Sequence, residues 1–139
     1  HLCWGNYEGP HNHDIPLEKI ASRVLQAKPK YLLLEGANPR HSHEFAVFEN
    51  VKLPEDKVLV PGVIDSTSNF IEHPDVVADR LLRYADVVGR ERVMAGSDCG
   101  FSTFSGYPTV FPDIAWRKLE SMVEGARRAS AKLWAKVPA

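Results

Sequence analysis

The sequence has little of several features that mark large classes of proteins. Only two of its 139 residues are cysteine, 44% are hydrophobic, and the formal net charge is -1. This composition argues against a disulfide-stapled, collagen-like or disordered chain. No hydrophobic run approaches the ~20 residues of a membrane-spanning helix, and no signal-peptide pattern is present. Two cysteines suit a reducing cytoplasm, where we expect the protein to be. Because the charge is balanced, we expect neither a membrane nor a nucleic acid as partner.

Short apolar runs alternate with segments of helical periodicity along the chain. The runs at 31–34, 58–64 and 92–95 predict strands, and segments that begin near residues 17, 74 and 113 predict helices. The last helix is expected to continue to Trp134, with one inward face that carries Ala115, Leu119, Met122, Ala126, Ala129 and Leu133. Strands that alternate with helices predict an α/β fold with a parallel sheet.

Four side chains suited to a metal fall at or just past strand ends. They are His1, Cys3, Glu35 and Cys99. Residues 1–6 fit the end of an earlier strand, on which His1 and Cys3 point the same way because they are two positions apart. Strands of a parallel sheet present such residues at one edge, so we expect the four to converge. Two thiolates, an imidazole and a carboxylate suit zinc, and sulfur favours zinc over magnesium.

A structural role is the alternative for the same residues. Both cysteines then act as small buried hydrophobes, and Glu35 is held in an ion pair because a buried carboxylate needs a partner. The residue types alone leave this alternative open.

Two histidine pairs in predicted loops offer a different metal site, of the kind that metal-dependent hydrolases use. The pairs are His11 with His13, followed by Asp14, and His41 with His43, followed by Glu44. The alternative is that these histidines make hydrogen bonds or contact a substrate. We favour that alternative, because a hydrolase site would leave Cys3 and Cys99 unexplained.

Three polar residues near the predicted strand ends suit supporting roles. Asp98 suits the orientation of a metal ligand, or hydrogen bonds to backbone amides of its own loop. Asn38 and Arg40 suit an anionic substrate group, because arginine binds carboxylates and phosphates through two hydrogen bonds at once. A surface ion pair is the alternative for Arg40.

With these residues the chain resembles the catalytic barrel of cobalamin-independent methionine synthase and its shorter relatives, among them epoxyalkane:coenzyme M transferase. The matching pieces are His1-x-Cys3, Glu35 after Tyr31-Leu32-Leu33-Leu34, Pro61-Gly62-Val63-Ile64-Asp65 and Asp98-Cys99-Gly100. The resemblance implies the C-terminal half of a (β/α)8 TIM barrel, from the end of strand 5 through strand 8 and its helix. Such a barrel takes ~250 residues, so we expect the absent N-terminal half or a second chain to complete it.

The same resemblance implies a function. In that family the equivalents of His1, Cys3, Glu35 and Cys99 bind zinc, which activates a substrate thiol as thiolate for alkyl, here methyl, transfer. The thiol is homocysteine or another small thiol, and the donor is a methylated folate, as in methionine biosynthesis. One alternative is zinc-dependent opening of an epoxide by a thiol such as coenzyme M. Another is a non-catalytic metal-binding fragment.

One departure from the family pattern concerns the proton donor. Methionine synthase has a histidine after the Pro-Gly-Val-x-Asp motif that is thought to protonate the leaving group, and Thr67 stands in that place here. His73 lies six residues further on and is a candidate to replace it. We therefore predict catalytic roles for Thr67, His73 and Asp98. The predicted substrate-binding residues are Asn38, Arg40, His41, His43 and Asp65.

Overall fold

Three parallel strands form the sheet of the protein. In the computed structural model, which describes residues 1–135, the strands are β1 (Tyr31–Leu34), β2 (Val58–Ile64) and β3 (Gly96–Ser97), and β2 lies between the other two. β1 pairs with β2 from Tyr31 opposite Val58 to Leu34 opposite Pro61. Leu2 forms a further parallel bridge with Leu34, so residues 1–3 run beside β1 as the end of another strand.

In this described part of the chain, four helices connect and follow the strands. They are α1 (Leu17–Val24), α2 (Val47–Asn50), α3 (Pro74–Val88) and α4 (Pro112–Leu133), with 3₁₀ turns at Glu44–Ala46 and Arg90–Arg92. His73 caps the start of α3 by accepting a hydrogen bond from the Asp75 N–H, and Pro74 occupies the first turn. Gly89, with φ 95°, caps the other end of the helix. None of the helices within residues 1–135 is long and apolar enough to cross a membrane. The predicted α/β fold is confirmed.

The helices cover the sheet through two apolar clusters. One joins α1, α2 and α3 to β1 and the first half of β2, with Leu17, Ala21, Leu32, Leu34, Phe48, Leu59 and Tyr84 at its centre. The other joins the end of β2 to α3 and α4, with Val63, Ile64, Val77, Ala78, Leu81 and Ala129. Both clusters pack the helices against the sheet. Because the strands are parallel, the polar loops that follow them collect at one edge of the sheet.

The third strand lies later than the predicted 92–95. Arg92 belongs to a 3₁₀ turn, and its guanidinium donates to the carbonyls of Lys57 and Leu53, each at 3.2 Å. These contacts fix Arg92 to the loop before β2. Val93 makes only an isolated bridge with Leu59, and regular pairing begins at Gly96.

The buried stripe of α4 also differs from the predicted face. Its most buried residues are Lys118, Ser121, Gly125 and Ala129, and of these only Ala129 was expected. Gly125 lies against α3 so closely that a Cβ there would be 2.7 Å from the Pro74 carbonyl oxygen, and closer still to Val77. Lys118 is buried because Nζ pairs with Glu72 Oε2 at 2.9 Å. Leu119, Met122 and Ala126 pack at the side, partly buried.

Candidate metal centre

Three donor atoms predicted to bind zinc meet at the edge of the sheet. The ligand atoms of His1, Cys3 and Cys99 lie within 4.8 Å of one another, and no other group of this kind occurs among residues 1–135. Cys99 Sγ is 3.6 Å from His1 Nε2. The bridge between Leu2 and Leu34 places the first segment beside β1, and Cys99 follows β3, so the sheet itself brings these residues together.

Glu35 joins this group from the end of β1. Its Oε1 accepts from the Cys99 thiol at 3.5 Å. Its Oε2 faces the protein, where Asn38 Nδ2 donates to it at 3.1 Å and Arg40 Nη2 lies at 3.6 Å. The carboxylate is 3% exposed. One oxygen is therefore held by the loop that follows β1, and the other is turned toward the sulfur.

The chemistry of this donor set fits a zinc ion. Burial raises the pKa of the Cys99 thiol, and the neighbouring Cys3 and Glu35 raise it further. Cys3 and Glu35 thus disfavour a negative charge on Cys99, and a bound cation would favour the Cys99 thiolate. Two sulfurs, one imidazole nitrogen and one carboxylate oxygen form a ligand set that zinc accepts. His1, Cys3, Glu35 and Cys99 are thus able to hold zinc here.

Asp98 connects the loop after β1 to the end of β3. Its Oδ1 accepts from the backbone N–H groups of Gly36 and Ala37, both at 2.8 Å. Its Oδ2 accepts from the Asn38 N–H at 2.8 Å and from Asn38 Nδ2 at 2.9 Å. Burial raises the pKa of this carboxyl, and the four hydrogen bonds oppose that shift. The amides that Asp98 binds belong to the loop that carries Glu35, not to its own loop.

His41 occupies the far side of Glu35 and is 3% exposed. Its ring stacks on Trp4 with 3.9 Å between centroids, and its Nδ1 lies 2.9 Å from Glu44 Oε2. Glu44 Oε1 in turn accepts from the Leu17 N–H at 2.7 Å. Burial lowers the pKa of His41, but the hydrogen bond and charge of Glu44, with the charge of Glu35, raise it overall. His41 Nε2 lies 3.6 Å from Glu35 Oε2.

The remaining histidines of the two pairs do not form a second metal group within residues 1–135. His11 Nδ1 lies 3.0 Å from both carboxylate oxygens of Asp14. His13 and His43 are exposed. His43 borders a small groove of about 150 Å³, together with His41 and Arg40. Hydrogen bonding to a carboxylate is the contact that His11 and His41 make.

A cavity of about 500 Å³ opens beside Glu35. Its lining includes Asn38, Arg40, Asp65, Thr67 and Phe70. Asn38 and Arg40, two of the three residues next to Glu35 Oε2, thus also border the cavity. Of the predicted substrate-binding residues, Asn38, Arg40 and Asp65 face this space, whereas His41 and His43 face the smaller groove.

The two candidates for proton donation lie in different places. Thr67 lines the cavity; its hydroxyl donates to Asp65 Oδ1 at 3.0 Å, as does its backbone N–H at 3.1 Å. His73 lies at the start of α3 with 66% of its side chain exposed, and its Nδ1 accepts from the Asp75 N–H at 3.2 Å. The structure brings Thr67 to the cavity and gives His73 a helix-capping contact.

Two buried residues that sequence reasoning missed support Cys99. Ser66 Oγ accepts from the Cys99 N–H at 3.1 Å and donates to Asn6 Oδ1 at 2.8 Å. Asn6 Nδ2 donates to the Gly100 carbonyl at 2.8 Å. These bonds tie together the segments that follow residues 1–3, β2 and β3. The sequence signal for Ser66 and Asn6 was their position just past a strand end. Many other polar residues have such a position, so it did not single these two out.

Comparisons with known proteins give this site a family. The family described as cobalamin-independent synthase, catalytic domain, matches residues 14–128. A 2-hydroxypropyl-CoM lyase from Xanthobacter autotrophicus is 28% identical over 96% of this chain, and the chain spans 40% of that protein. A B12-independent methionine synthase from Shewanella sp. W3-18-1, solved in complex with selenomethionine, superposes with a TM-score of 0.67. That match has 21% identity and covers 85% of this chain and 31% of the other.

The structural match confirms the predicted fold. The strands and helices of residues 1–135 follow the α/β arrangement of a TIM barrel, with the strands parallel and the helices outside. The family match covers most of the chain and includes Glu35 and Cys99. The chain belongs to the cobalamin-independent synthase catalytic-domain family.

Proposed function

We propose that the protein transfers an alkyl group to a substrate thiol in a zinc-dependent reaction, and that this alkyl group is methyl. The observation that carries this proposal is the convergence of His1, Cys3 and Cys99, with Glu35 Oε1 at 3.5 Å from Cys99 Sγ. The family of the chain supports it, because its named members act on thiols. A cytoplasmic location belongs to the same proposal.

The four predicted ligands would hold the zinc. When bound, the ion would act as a Lewis acid that lowers the pKa of a substrate thiol, so that the thiol is deprotonated near neutral pH. Two thiolates from Cys3 and Cys99 and the Glu35 carboxylate would outweigh the two positive charges of the ion, so this ligand set would leave a substrate sulfur electron-rich. Asn38 and Arg40 fix the other oxygen of Glu35, which leaves Oε1 directed at Cys99.

The cavity beside Glu35 is the proposed substrate site. Arg40 and Asn38 are proposed to bind an anionic group of the thiol substrate, because they border both the cavity and Glu35. In the methyl-transfer reaction a sulfur–carbon bond forms and the carbon–nitrogen bond of a methylated folate breaks. The nitrogen then takes a proton, which we propose comes from solvent in the cavity and passes through the Thr67 hydroxyl, held in place by its hydrogen bond to Asp65.

Opening of an epoxide by a thiol is the second candidate. Two observations favour it: the 28% identical relative is named 2-hydroxypropyl-CoM lyase, and Thr67 stands where methionine synthase has its histidine. The same sulfur nucleophile forms a bond to the epoxide carbon, the ring carbon–oxygen bond breaks, and the oxygen takes the proton. The anionic group that Arg40 binds would then be a sulfonate.

The rest of the barrel is part of the proposal. The three strands found within residues 1–135 are fewer than the eight of a closed barrel. We propose that residues 1–139 form the part from the end of strand 5 to the last helix, and that an N-terminal half or a second chain supplies the other strands.

A substrate matrix tests the function. The zinc-loaded protein, with its barrel complete, is incubated with homocysteine or coenzyme M and with a methylated folate or an epoxyalkane. Formation of a methylated thiol supports methyl transfer. Consumption of the epoxide alone contradicts methyl transfer and supports epoxide opening by a thiol. A protein that binds zinc but turns over none of the four combinations supports a metal-binding role and contradicts both enzyme proposals.

A further inference from the structure

We propose that Asp98 is a positioning residue that sets the separation of Glu35 and Cys99 by clamping the loop after β1 to the end of β3. The inference rests on the proposed function, since its purpose is to shape the zinc site. Asp98 precedes Cys99 in the chain, and its carboxylate is 2% exposed. It therefore links two predicted ligands that lie on different strands.

The contacts of Asp98 reach Glu35 through Asn38. Asn38 Nδ2 donates both to Asp98 Oδ2 at 2.9 Å and to Glu35 Oε2 at 3.1 Å. The same Asp98 oxygen also accepts from the Asn38 backbone at 2.8 Å. Asp98 thus fixes the Asn38 amide, which in turn fixes one oxygen of Glu35 and leaves the other facing Cys99.

The clamp has to pass over β2, which lies between β1 and β3, and Gly62 provides the passage. A Cβ at Gly62 would lie 2.7 Å from both Cα and N of Asp98, and closer still to Oδ1. Any other residue there would displace the Asp98 carboxylate from the amides of Gly36 and Ala37. This gives a physical reason for the glycine of Pro61-Gly62-Val63: it makes room for the aspartate that precedes Cys99.

The charge and shape of the carboxylate are both used. Each oxygen accepts two N–H bonds, so all four donors point at Asp98. Asparagine has the same size, but its NH₂ group would face N–H donors on one side. Asp98→Asn therefore removes the clamp while it leaves the volume unchanged, and it serves where Asp98→Ala fails to fold.

The test compares zinc affinity and ligand geometry in the wild-type protein and in Asp98→Asn, Asp98→Ala and Gly62→Ala. Zinc affinity is measured by competition with a chelator, and geometry by the sulfur-to-metal charge-transfer and ligand-field bands of the cobalt(II) form. We expect each variant to bind zinc about 10–100-fold more weakly, the usual effect of losing a partner of a metal ligand. Changed cobalt bands are expected with it. Gly62→Ala and Asp98→Ala should be non-additive, because both break the same contact.

Glu72→Gln is the matched control. Glu72 is partly buried and also accepts two hydrogen bonds, from the Asp65 N–H at 2.7 Å and from Lys118 Nζ at 2.9 Å, but neither bond reaches Glu35 or Cys99. It should lower the melting temperature and leave zinc affinity and the cobalt spectrum unchanged. Asp98 variants with wild-type affinity and spectrum would overturn the clamp alone. A wild-type protein that binds no zinc would overturn the proposed function, and the clamp with it.

Discussion

The thiol of Cys99 lies 3.5 Å from Oε1 of Glu35, although the two residues are 64 positions apart in the chain. They meet because β1 and β3 run parallel on either side of β2 and end at the same edge. The contact places a buried carboxylate beside a sulfur whose pKa is raised, an arrangement that a cation would stabilise.

Removal of Cys99 is the direct test of that arrangement. We expect Cys99→Ser to weaken zinc binding by more than about 100-fold, since the loss of a ligand should exceed the effect of losing a partner of a ligand. Zinc content after dialysis, measured by mass spectrometry, checks this result. His43→Ala, which changes an exposed histidine, should keep its zinc. If zinc survives the double change of Cys3 and Cys99 to Ser, the thiol-transfer proposal is wrong.

Lys118 supports a second prediction, on stability. Its side chain is fully buried, and Nζ pairs with Glu72 Oε2 at 2.9 Å. Lys118→Met leaves the Glu72 charge without its partner, and we expect a loss of about 3–5 kcal/mol in the free energy of unfolding. Urea denaturation measures it.

The double variant Lys118→Met with Glu72→Gln identifies the cause of that loss. Because the uncompensated charge is gone, it should recover more than half of the stability that Lys118→Met removes. Lys19→Met, at an exposed position on α1, should change stability by less than about 0.5 kcal/mol. A double variant no more stable than Lys118→Met would show that the charge is not the cause.

The periodicity of the sequence predicted most elements because each depends on local pattern. The apolar runs at 31–34 and 58–64 coincide with β1 and β2, and the helix expected near residue 74 begins at Pro74. The third strand was misplaced because Arg92 is held by carbonyls of another loop, which no local pattern reveals. The buried stripe of α4 was misplaced for a similar reason: Lys118 is buried by an ion pair formed across the fold.

The sequence predicted that the candidate ligands come together, but not the contacts that hold them in place. His1, Cys3, Glu35 and Cys99 have side chains that suit zinc, and their places at strand ends follow from the alternation of strands and helices. The contacts of Asp98 with backbone amides and of Ser66 with Cys99 depend on how close the loops approach. That spacing is set by Gly62 and by the packing of the sheet, which the residue types alone do not specify.

Replacing Gly125 by alanine has two opposing effects on stability. Alanine is the better helix former by about 1 kcal/mol. However, a Cβ at Gly125 would lie 2.7 Å from the Pro74 carbonyl oxygen, and overpacking of this kind costs about 1–3 kcal/mol. We expect Gly125→Ala to destabilise the protein in urea denaturation, because backbone cannot move aside as a flexible side chain would. Gly100→Ala, where an added Cβ has no heavy atom within 4 Å in the described part of the chain, should be close to neutral. Stabilisation by Gly125→Ala would contradict the close packing of α3 and α4.

The pH dependence of stability should report the link between α3 and α4. Arg127 and Arg128 lower the pKa of Glu124 to about 2 through hydrogen bonds, and Arg128 also lowers the pKa of Asp75. Arg128 Nη1 donates to Asp75 Oδ1 at 2.8 Å, and Arg128 Nε donates to Glu124 Oε1 at 2.8 Å. A carboxyl whose folded pKa is depressed stabilises the protein above its unfolded pKa, and this contribution is lost as the pH falls through the folded value.

Arg128→Gln should therefore be less stable than wild type at pH 6, and the difference in urea midpoint should shrink as the pH falls below about 4.5, the ordinary value for Glu. Because these side chains reach solvent, 1 M salt should also narrow the difference by shortening the range of the charge interaction to about 3 Å. Arg117→Gln, at an exposed position on the same helix, should leave the midpoint close to wild type throughout. A difference that stays constant toward acid pH would mean that Arg128 acts through packing of its hydrocarbon stem and not through the two carboxylates.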